Sequence, residues 1–204
     1  MSRILSSIEV YNNKADIFEQ QYLSVAAEDV HQAWLSRYLP QRGIALDVGA
    51  GIGRDAKYLA EKGLNVVAVE PANELLQRGQ KLTQGLNVHW ISDQLPDLSE
   101  AIALDKRFDL ILLSAVWMHI PHAERQGAFQ TLASLLKSGG KIVITLRHGT
   151  SPDAREMYPV SVNELEGFVN RHGLTLHVLA DEDDKLQRKE VSWETVVIES
   201  EDSD

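Results

Sequence analysis

The 204-residue sequence predicts an α/β fold in which a mostly parallel, seven-stranded sheet is doubly wound, with helices on both faces. Three observations predict this class. Short β-rich runs alternate with helical stretches from residue 44 to residue 173. A glycine-rich turn, "LDVGAGIG" at 46–53, follows the first β-rich run. The last two β-rich runs have no helix between them, which predicts an antiparallel last strand.

Helices are predicted from apolar spacing and from end signals. Apolar residues recur at helical spacing from Tyr11 to Tyr22 and from Val30 to Tyr38, and Pro40 ends the second stretch. These stretches predict an N-terminal helical cap over residues 1–40, within the same domain as the rest. Further helices are predicted at 54–63, 73–82, 122–137 and 161–173.

The ends of these later helices carry recognisable signals. Gly63 ends the helix at 54–63, and the run Ser138–Gly140 ends the helix at 122–137. Ser161 and Glu164 form a capping box at the start of the helix at 161–173. Gly79 lies inside the helix predicted at 73–82 and weakens that prediction, because glycine is a poor helix former.

Seven β-rich runs are predicted as strands: 44–48, 64–70, 87–91, 108–116, 141–146, 174–180 and 191–199. The run at 108–116 is apolar enough to be buried on both faces of the sheet. The charged segment 181–190 is predicted as a solvated hairpin, and 200–204 as a solvated acidic tail. No linker divides the chain, so residues 41–199 are expected to form one core.

Composition and charge restrict the class of function. The formal net charge of −10 argues against nucleic acid as a partner, since phosphate binding normally needs a basic surface. No apolar run is long enough to span a membrane. The chain has no cysteine, which excludes disulfides and a cysteine nucleophile and fits a reducing cytoplasm. A small molecule is the favoured partner, and the sequence does not determine the oligomeric state.

The predicted topology brings four parts of the sequence together. In a doubly wound sheet, ligands bind beyond the carboxyl ends of the parallel strands. The glycine turn, Glu70, the Ser92–Asp93 pair and the segment Ser114–Val116 all follow such strand ends. Glycines let the backbone approach a ligand closely, and a carboxylate about 20 residues on suits the two hydroxyls of a ribose. An adenosine-containing ligand is therefore expected.

Asp47 helps to choose between such ligands. Gly51, Gly53 and Ala56 satisfy the dinucleotide pattern G-x-G-x-x-A, which is weak by itself. Asp47 is expected at the mouth of the loop, where it would repel a pyrophosphate by several kcal/mol at an effective dielectric constant of about 20. A ligand with cationic groups and no phosphate would be attracted there. This expectation favours S-adenosylmethionine, which carries a sulfonium and an ammonium group, over a nicotinamide dinucleotide.

Five segments together resemble a known family, the class I S-adenosylmethionine-dependent methyltransferases, whose core is Rossmann-like. They are "ALDVGAGIGRD", "VVAVEP", "ISDQLP", "FDLILLSAVWMHI" and "LLKSGGKIVIT", and the resemblance covers roughly residues 40–199. It implies that S-adenosylmethionine is the cofactor. It also implies contacts with the methionine part of the cofactor from Asp47, Gly49, Ala50, Gly51 and Gly53, and with its ribose from Glu70.

The same resemblance implies the other cofactor contacts. Pro71 would pack on the adenine, and Asp93, flanked by Ser92 and Gln94, would accept a hydrogen bond from its amino group. Ser114, Ala115 and Val116 would lie under the sulfonium. Tyr11 and Tyr22 would close over the cofactor from the N-terminal helices, although aromatic residues on an apolar helix face have an equally good packing role.

The methyl acceptor is expected near two segments that follow adjacent strands. One contains the apolar Trp117 and Met118, and the other, 147–158, contains Arg147, His148, Arg155 and Tyr158. Trp117, Arg147, Arg155 and Tyr158 are the predicted acceptor-binding residues, and the two arginines favour an anionic acceptor. His119 is the first choice for a general base and His148 the second. The alternative for 147–158 is a salt-bridged surface loop.

Several alternatives remain open at this stage. His119 and His122 are three residues apart, but no third ligand has suitable spacing, so no metal is predicted. The preferred reaction is methyl transfer to an oxygen or nitrogen of a small molecule. Methylation of a peptide or protein side chain is the alternative reaction. A non-catalytic S-adenosylmethionine-binding module and a nicotinamide-dependent oxidoreductase are the alternatives outside this enzyme class.

Overall fold

The structure, a computed structural model, describes residues 3–201 apart from 152, 187 and 189, and leaves the side chains of 3–6 and 180–183 undescribed. Its seven-stranded sheet has the order β3-β2-β1-β4-β5-β7-β6. Strands β1 to β5 are parallel to one another, whereas β7 is antiparallel to both of its neighbours, β5 and β6. The predicted fold class is confirmed. None of the helices within the described residues is long and apolar enough to cross a membrane.

The strands are β1 (Ile44–Val48), β2 (Asn65–Val69), β3 (Val88–Ile91), β4 (Phe108–Ser114), β5 (Leu136–His148), β6 (Thr175–Asp183) and β7 (Ser192–Glu199). The helices are α1 (Arg3–Asn13), α2 (Ala15–Leu23), α3 (Ala27–Tyr38), α4 (Arg54–Glu61), α5 (Asn73–Leu82), α6 (Ser99–Ala103), α7 (His122–Leu135) and α8 (Val162–Arg171), with a 3₁₀ turn at Trp117–His119. Half of the predicted capping box forms, since the Ser161 hydroxyl accepts a hydrogen bond from the Glu164 amide, whereas the Glu164 carboxylate accepts one from Arg125.

Alternation along the strands divides the core into two layers. On β4, Ile111 and Leu113 point to one face, where α7 and α8 contribute Phe129, Leu132 and Leu165. Leu110 and Leu112 point to the other face, where α3 and α4 contribute Trp34, Tyr38 and Leu59. Successive side chains of a strand point to opposite faces, so a central strand covered on both sides must be apolar throughout. β4 is buried in this way, as predicted.

The N-terminal cap differs from its prediction in one respect. The stretch expected as a single helix forms two, α1 and α2, because Lys14 has the non-helical angles φ −116° and ψ 22°. Both helices contact α5, and Ala15 and Phe18 pack with Ile52 and Leu75. The cap therefore shares the core of the sheet domain and covers the carboxyl ends of β1 and β2.

The segment Ser138–Gly140 has a different role from the one predicted. Helix α7 ends at Leu135, and residues 137–140 form an irregularity inside β5, between the pairs Phe108–Leu136 and Leu110–Lys141. Ser200 and Glu201 bind this irregularity through hydrogen bonds from the Ser200 amide to Gly140 and from the Ser138 hydroxyl to Glu201. These two residues are therefore held against β5 by hydrogen bonds, although Glu201 is exposed, and 202–204 lie outside the described residues.

Candidate functional site

The glycine turn lies directly beyond β1 and is fastened to the end of β2. The amides of Gly49 and Ala50 both donate to the carbonyl of Val69, at 2.8 and 2.9 Å. Gly49 has φ +71°, and a Cβ there would lie 2.6 Å from the Val116 side chain. Glycine is required at this position by both its conformation and its neighbour. The turn thereby exposes the backbone of 49–51 to the space above the sheet.

A cavity of about 270 Å³ occupies this space and extends toward the end of β5. From the predicted cofactor residues it is lined by Gly49, Ala50, Gly51, Glu70, Pro71, Asp93, Gln94, Ser114, Ala115, Val116, Tyr11 and Tyr22. Gly53 and Ser92 do not line it. A Cβ at Gly53 would lie 2.7 Å from the ring of Trp90, so this glycine makes room for a packed tryptophan behind the turn.

Glu70 is buried at the end of β2 and faces the cavity. Its Oε2 accepts a hydrogen bond from the Gly51 amide at 2.8 Å, and its Oε1 accepts one from the Ala72 amide at 2.7 Å. Burial raises the pKa of Glu70 to about 7, against the lowering effect of the two amides. Each carboxylate oxygen keeps a further lone pair for a ligand hydroxyl.

Asp47 does not lie where the sequence predicted it. Its side chain is buried behind the glycine turn, is absent from the cavity wall, and accepts a hydrogen bond from the Ala56 amide. Burial, together with the nearby Asp55, raises the pKa of Asp47 well above its usual range. The expected contact between Asp47 and the ligand's ammonium is therefore corrected, because the carboxylate of β1 points toward α4.

The cavity wall near the glycine turn carries a charged pair that was not predicted from the sequence. Arg54 and Asp55, at the start of α4, line the cavity and pair through Arg54 Nε and Asp55 Oδ1 at 2.7 Å. His31 of α3 places Nε2 3.1 Å from Asp55 Oδ2. Arg54, followed by His31, keeps the pKa of Asp55 below its usual range despite burial. The "RD" directly after the glycine turn was the available signal, whereas His31 has no local pattern.

Asp93 accepts hydrogen bonds from the first turn of α6, a short helix that was not predicted from the sequence. One carboxylate oxygen accepts from the Gln94 amide, and the other accepts from the amides of Glu100 and Ala101, at 2.8 and 3.1 Å. Asp93 therefore holds the chain after β3 in place while it lines the cavity. Its predicted contact with adenine remains a prediction.

Tyr11 and Tyr22 do face the cavity from α1 and α2. Tyr22 stacks on Phe18, and its ring lies beside the exposed face of Gly51. Arg155 donates from Nη1 to the Tyr11 hydroxyl at 3.1 Å, and its guanidinium lies over the Phe18 ring. Burial raises the pKa of both tyrosine hydroxyls, so both are protonated at neutral pH.

His119 lies at the cavity wall with both ring nitrogens engaged. Nδ1 is 2.9 Å from the carbonyl oxygen of Glu156, which can only accept, so Nδ1 carries the proton. Nε2 is 3.1 Å from the Tyr11 hydroxyl and is therefore the acceptor of that contact. Burial, which outweighs the Glu156 hydrogen bond, lowers the pKa of His119 to about 4. The ring is neutral at physiological pH.

Three of the predicted acceptor-side residues lie outside the cavity. His148 follows Arg147 on β5 and so points to the other face of the sheet, where Nε2 contacts Glu194 Oε2 at 2.6 Å. Trp117 is fully buried against Phe168, and its neighbour Met118 lines the cavity instead. The Tyr158 hydroxyl donates to Glu156. Their predicted contacts with an acceptor, and the role of His148 as a base, are corrected accordingly.

The segment expected as a solvated hairpin also contributes to the site. Asp184 is buried and accepts hydrogen bonds from Arg188 and from Trp193 Nε1, at 2.6 to 2.9 Å. Lys185, Leu186 and Arg188 line the cavity beside it. Arg188 and Trp193 hold the pKa of Asp184 down at about 2 despite its burial. Asp184, Lys185, Leu186 and Arg188 therefore cover part of the site, and the charges of Asp184 and Arg188 are paired with each other.

The two histidines considered as a metal pair diverge. His119 faces Tyr11, whereas His122 is exposed and contacts Glu164 at 3.3 Å. Across the described part of the chain, no three His, Asp or Glu residues are grouped closely enough to hold a metal ion.

Comparison with known proteins agrees with this geometry. Residues 45–140 match a family described as a methyltransferase domain. A 2-heptyl-1-hydroxyquinolin-4(1H)-one methyltransferase of Mycobacteroides abscessus is 26% identical over 177 residues, which are 78% of this chain and 77% of the relative. A sarcosine/dimethylglycine N-methyltransferase of Halorhodospira halochloris is 30% identical over 113 residues, or 54% of this chain and 40% of the relative.

Solved structures show the same fold. Magnesium protoporphyrin IX methyltransferase from Synechocystis PCC 6803, with bound SAM, superposes with a TM-score of 0.70 at 15% identity over 98% of each chain. DhpI in complex with SAH superposes with a TM-score of 0.71 at 17% identity over 97% of each chain. At these identities the superpositions establish the architecture.

Proposed function

Because this chain belongs to the class I S-adenosylmethionine-dependent methyltransferases, we propose that it transfers a methyl group from S-adenosylmethionine to an oxygen or nitrogen of a small molecule. The observation that carries this proposal is the continuity of one cavity. The same enclosed space is bounded by the glycine turn and Glu70 at one end and by His119 and Arg147 at the other. A cofactor methyl and an acceptor atom would therefore meet inside it.

The size and cover of the cavity favour a small acceptor. Helices α1 and α2 lie over it through Tyr11, Phe18 and Tyr22, and residues 184–186 and 188 cover the β5 end. Pockets that enclose a ligand, with mostly apolar walls and a few polar groups, are typical of small-molecule sites. The Mycobacteroides and Halorhodospira relatives are named for small-molecule acceptors, which supports the same class.

The residues at the glycine-turn end fit S-adenosylmethionine. Asp55 and Glu70 bring acidic groups to the wall, and a Cβ built at Gly51 would meet nothing closer than 3.7 Å, so the backbone is open to a ligand there. Glu70 would accept from the ribose hydroxyls, and Arg54 would attract the carboxylate of the methionine part. The bound cofactor supplies a methyl group activated by a sulfonium.

The protein's part in the reaction is chiefly positioning. Holding two reactants in a reactive geometry is worth about 7–11 kcal/mol, whereas a general base adds about 10²–10⁴-fold. We assign Tyr11 and His119 a proton relay: the acceptor passes its proton to the Tyr11 oxygen while the Tyr11 proton moves to His119 Nε2. Arg155 stabilises negative charge on that oxygen. The low pKa of His119 makes this base a modest contributor.

An acceptor screen with S-adenosylmethionine labelled in its methyl group tests the proposal. We expect label in a small hydroxy or amino compound, and loss of the label when Glu70 is replaced by alanine. Label found only in peptides or proteins would support side-chain methylation instead. Cofactor binding without transfer to any acceptor would indicate a non-catalytic module.

A further inference from the structure

Arg147 is a buried cation at the β5 end of the cavity. It is only 5% exposed, and it lines the cavity. Its Nη1 donates to the carbonyl of Gly149 at 3.1 Å and contacts the Met157 sulfur at 3.3 Å, and its Nη2 donates to the carbonyl of Thr150 at 3.1 Å. All of these partners are neutral. They fix the orientation of the guanidinium, and no hydrogen-bond partner of Arg147 among the described residues carries a negative charge.

The neighbouring cations are compensated, unlike Arg147. Arg155 pairs with Asp153 at 2.7 Å, and Arg188 pairs with Asp184 at 2.6 Å. Both carboxylate oxygens of Asp184 accept hydrogen bonds from Arg188 or Trp193. Among the described residues, no carboxylate forms an ion pair with Arg147. Burial, Arg188 and Arg155 lower the pKa of Arg147 more than Asp184 raises it, yet arginine stays charged in proteins.

The cavity is therefore polarised along its length. Its lining carries Asp55, Glu70 and Asp93 near the glycine turn, whereas Arg147, Arg155, Lys185 and Arg188 gather near the end of β5 with Asp184. This gathering occurs in a chain with a net charge of −10. A buried, uncompensated charge is costly unless a partner of opposite charge binds it.

We infer that the methyl acceptor carries a carboxylate, which Arg147 binds. The inference rests on the proposed function and adds the chemical class of the acceptor. A single guanidinium that has no ion-pair partner among the described residues matches the single negative charge of a carboxylate. A phosphate ester, with a charge of about −1.5 to −2, would need a second free cation. The planar guanidinium also matches the two carboxylate oxygens geometrically.

The test uses small probes on the full chain saturated with S-adenosylhomocysteine. Benzoate and its neutral counterpart benzamide are titrated by NMR and by thermal shift, with phenyl phosphate as a third probe. Arg147→Gln removes the charge, and Arg147→Lys retains it without the planar fork. Arg107→Gln is the matched control, because Arg107 is exposed and precedes β4 at the amino end of this strand, opposite to the carboxyl end that faces the cavity.

We expect benzoate to bind at least about tenfold more tightly than benzamide, as is typical of charged hydrogen bonds. Arg147→Gln should abolish this preference, Arg147→Lys should reduce it, and Arg107→Gln should preserve it. Equal binding of benzoate and benzamide, or an unchanged preference in Arg147→Gln, would overturn the inference. Tighter binding of phenyl phosphate would overturn the choice of a carboxylate. If Arg147→Gln does not fold, Arg147→Lys becomes the deciding variant. An undiminished preference for benzoate in Arg147→Lys would exclude recognition of the carboxylate by the planar guanidinium.

These outcomes are separable from those of the proposed function. Calorimetry of S-adenosylhomocysteine binding is measured first on the same samples. Absence of cofactor binding would contradict the proposed function itself. Cofactor binding without any carboxylate preference would contradict only the acceptor class.

Discussion

The hydroxyl oxygen of Tyr11 lies 3.1 Å from Nε2 of His119, although 108 residues separate the two in the sequence. The carbonyl of Glu156 fixes the tautomer of His119, and Arg155 donates to the same tyrosine oxygen. Helix α1 and the turn after β4 thus build one hydrogen-bonded chain at the cavity wall. The Tyr11 hydroxyl is the donor and His119 Nε2 the acceptor, so a proton can pass only from Tyr11 to His119.

Removing the Tyr11 hydroxyl tests the relay. We expect Tyr11→Phe to lower kcat by about a hundredfold, within the range for a lost acid–base group, while the Kd for S-adenosylmethionine stays within a few-fold. The phenylalanine ring keeps the packing of Tyr11 against Phe18. Tyr38→Phe is the control. The Tyr38 hydroxyl is buried, makes no hydrogen bond to a described residue, and lies away from the cavity. Equal kcat in both variants would exclude the relay.

The pH dependence of turnover follows from the pKa of His119. Because burial lowers this pKa to about 4, the relay needs no deprotonation of His119 between pH 8 and pH 6. The His119 contribution to kcat should therefore stay constant across that range and fall only as the pH approaches 4. Rate profiles of wild type and His119→Gln measure this contribution. A wild-type inflection near the ordinary histidine pKa of about 6.5 that His119→Gln removes would contradict the prediction.

Glu70→Ala should weaken S-adenosylmethionine binding by tenfold or more without unfolding the chain. Hydrogen bonds to a charged acceptor are worth roughly 1.5–3 kcal/mol each, and the ribose offers two hydroxyls. Titration calorimetry with circular dichroism as the folding control measures the effect. In the same titrations, wild type should bind S-adenosylmethionine and S-adenosylhomocysteine at micromolar concentrations and NAD hardly at all. An unaltered Kd in Glu70→Ala would place the ribose elsewhere.

The raised pKa of Glu70 makes nucleoside binding depend on pH. The free carboxyl is protonated below about pH 7, whereas ribose hydroxyls donate to its ionised form. Affinity should therefore fall as the pH drops from 8 to 6, by roughly fivefold to tenfold for a pKa near 7. Adenosine is the suitable probe, since it has no group that titrates in this range. Calorimetry in two buffers of different ionisation enthalpy should show proton release at pH 7, and no release in Glu70→Gln.

A pair of glycine substitutions tests the support behind the glycine turn. A Cβ at Gly79 would lie 2.2 Å from the ring of Trp90, which hydrogen-bonds Thr83 and also packs on Gly53. Gly79→Ala should therefore cost about 1–3 kcal/mol of unfolding free energy, although alanine favours helices. Gly127→Ala in α7 meets nothing within 4 Å and should stabilise by up to about 1 kcal/mol. Urea unfolding measures both, and equal effects would show that Trp90 moves aside.

Much of the fold was predictable because it depends on local rules. Strand and helix periodicities differ, and the alternation of the two specifies a doubly wound sheet. The helix at 73–82 extends over the predicted residues even though Gly79 argued against it. Gly79 of α5 leaves room for the ring of Trp90 on β3, and helix propensity does not report a contact between different elements. Helix α6 was also not predicted. Amides in its first turn donate hydrogen bonds to Asp93, which precedes the helix and lies outside any helical pattern.

By itself the sequence determined the sheet, the glycine turn and the placement of Glu70 and Asp93 beyond strand ends, because strand order and chain direction follow from local patterns. Only the tertiary structure decided where side chains point. Asp47 lies behind the turn rather than at its mouth, and His148 faces away while Arg147 faces the cavity. One step along a strand reverses the direction of a side chain, so a residue's position in a motif does not settle its direction. The Tyr11–His119 contact and the cover by residues 184–186 and 188 arise from packing between segments far apart in the chain, and sequence spacing carries no record of such packing.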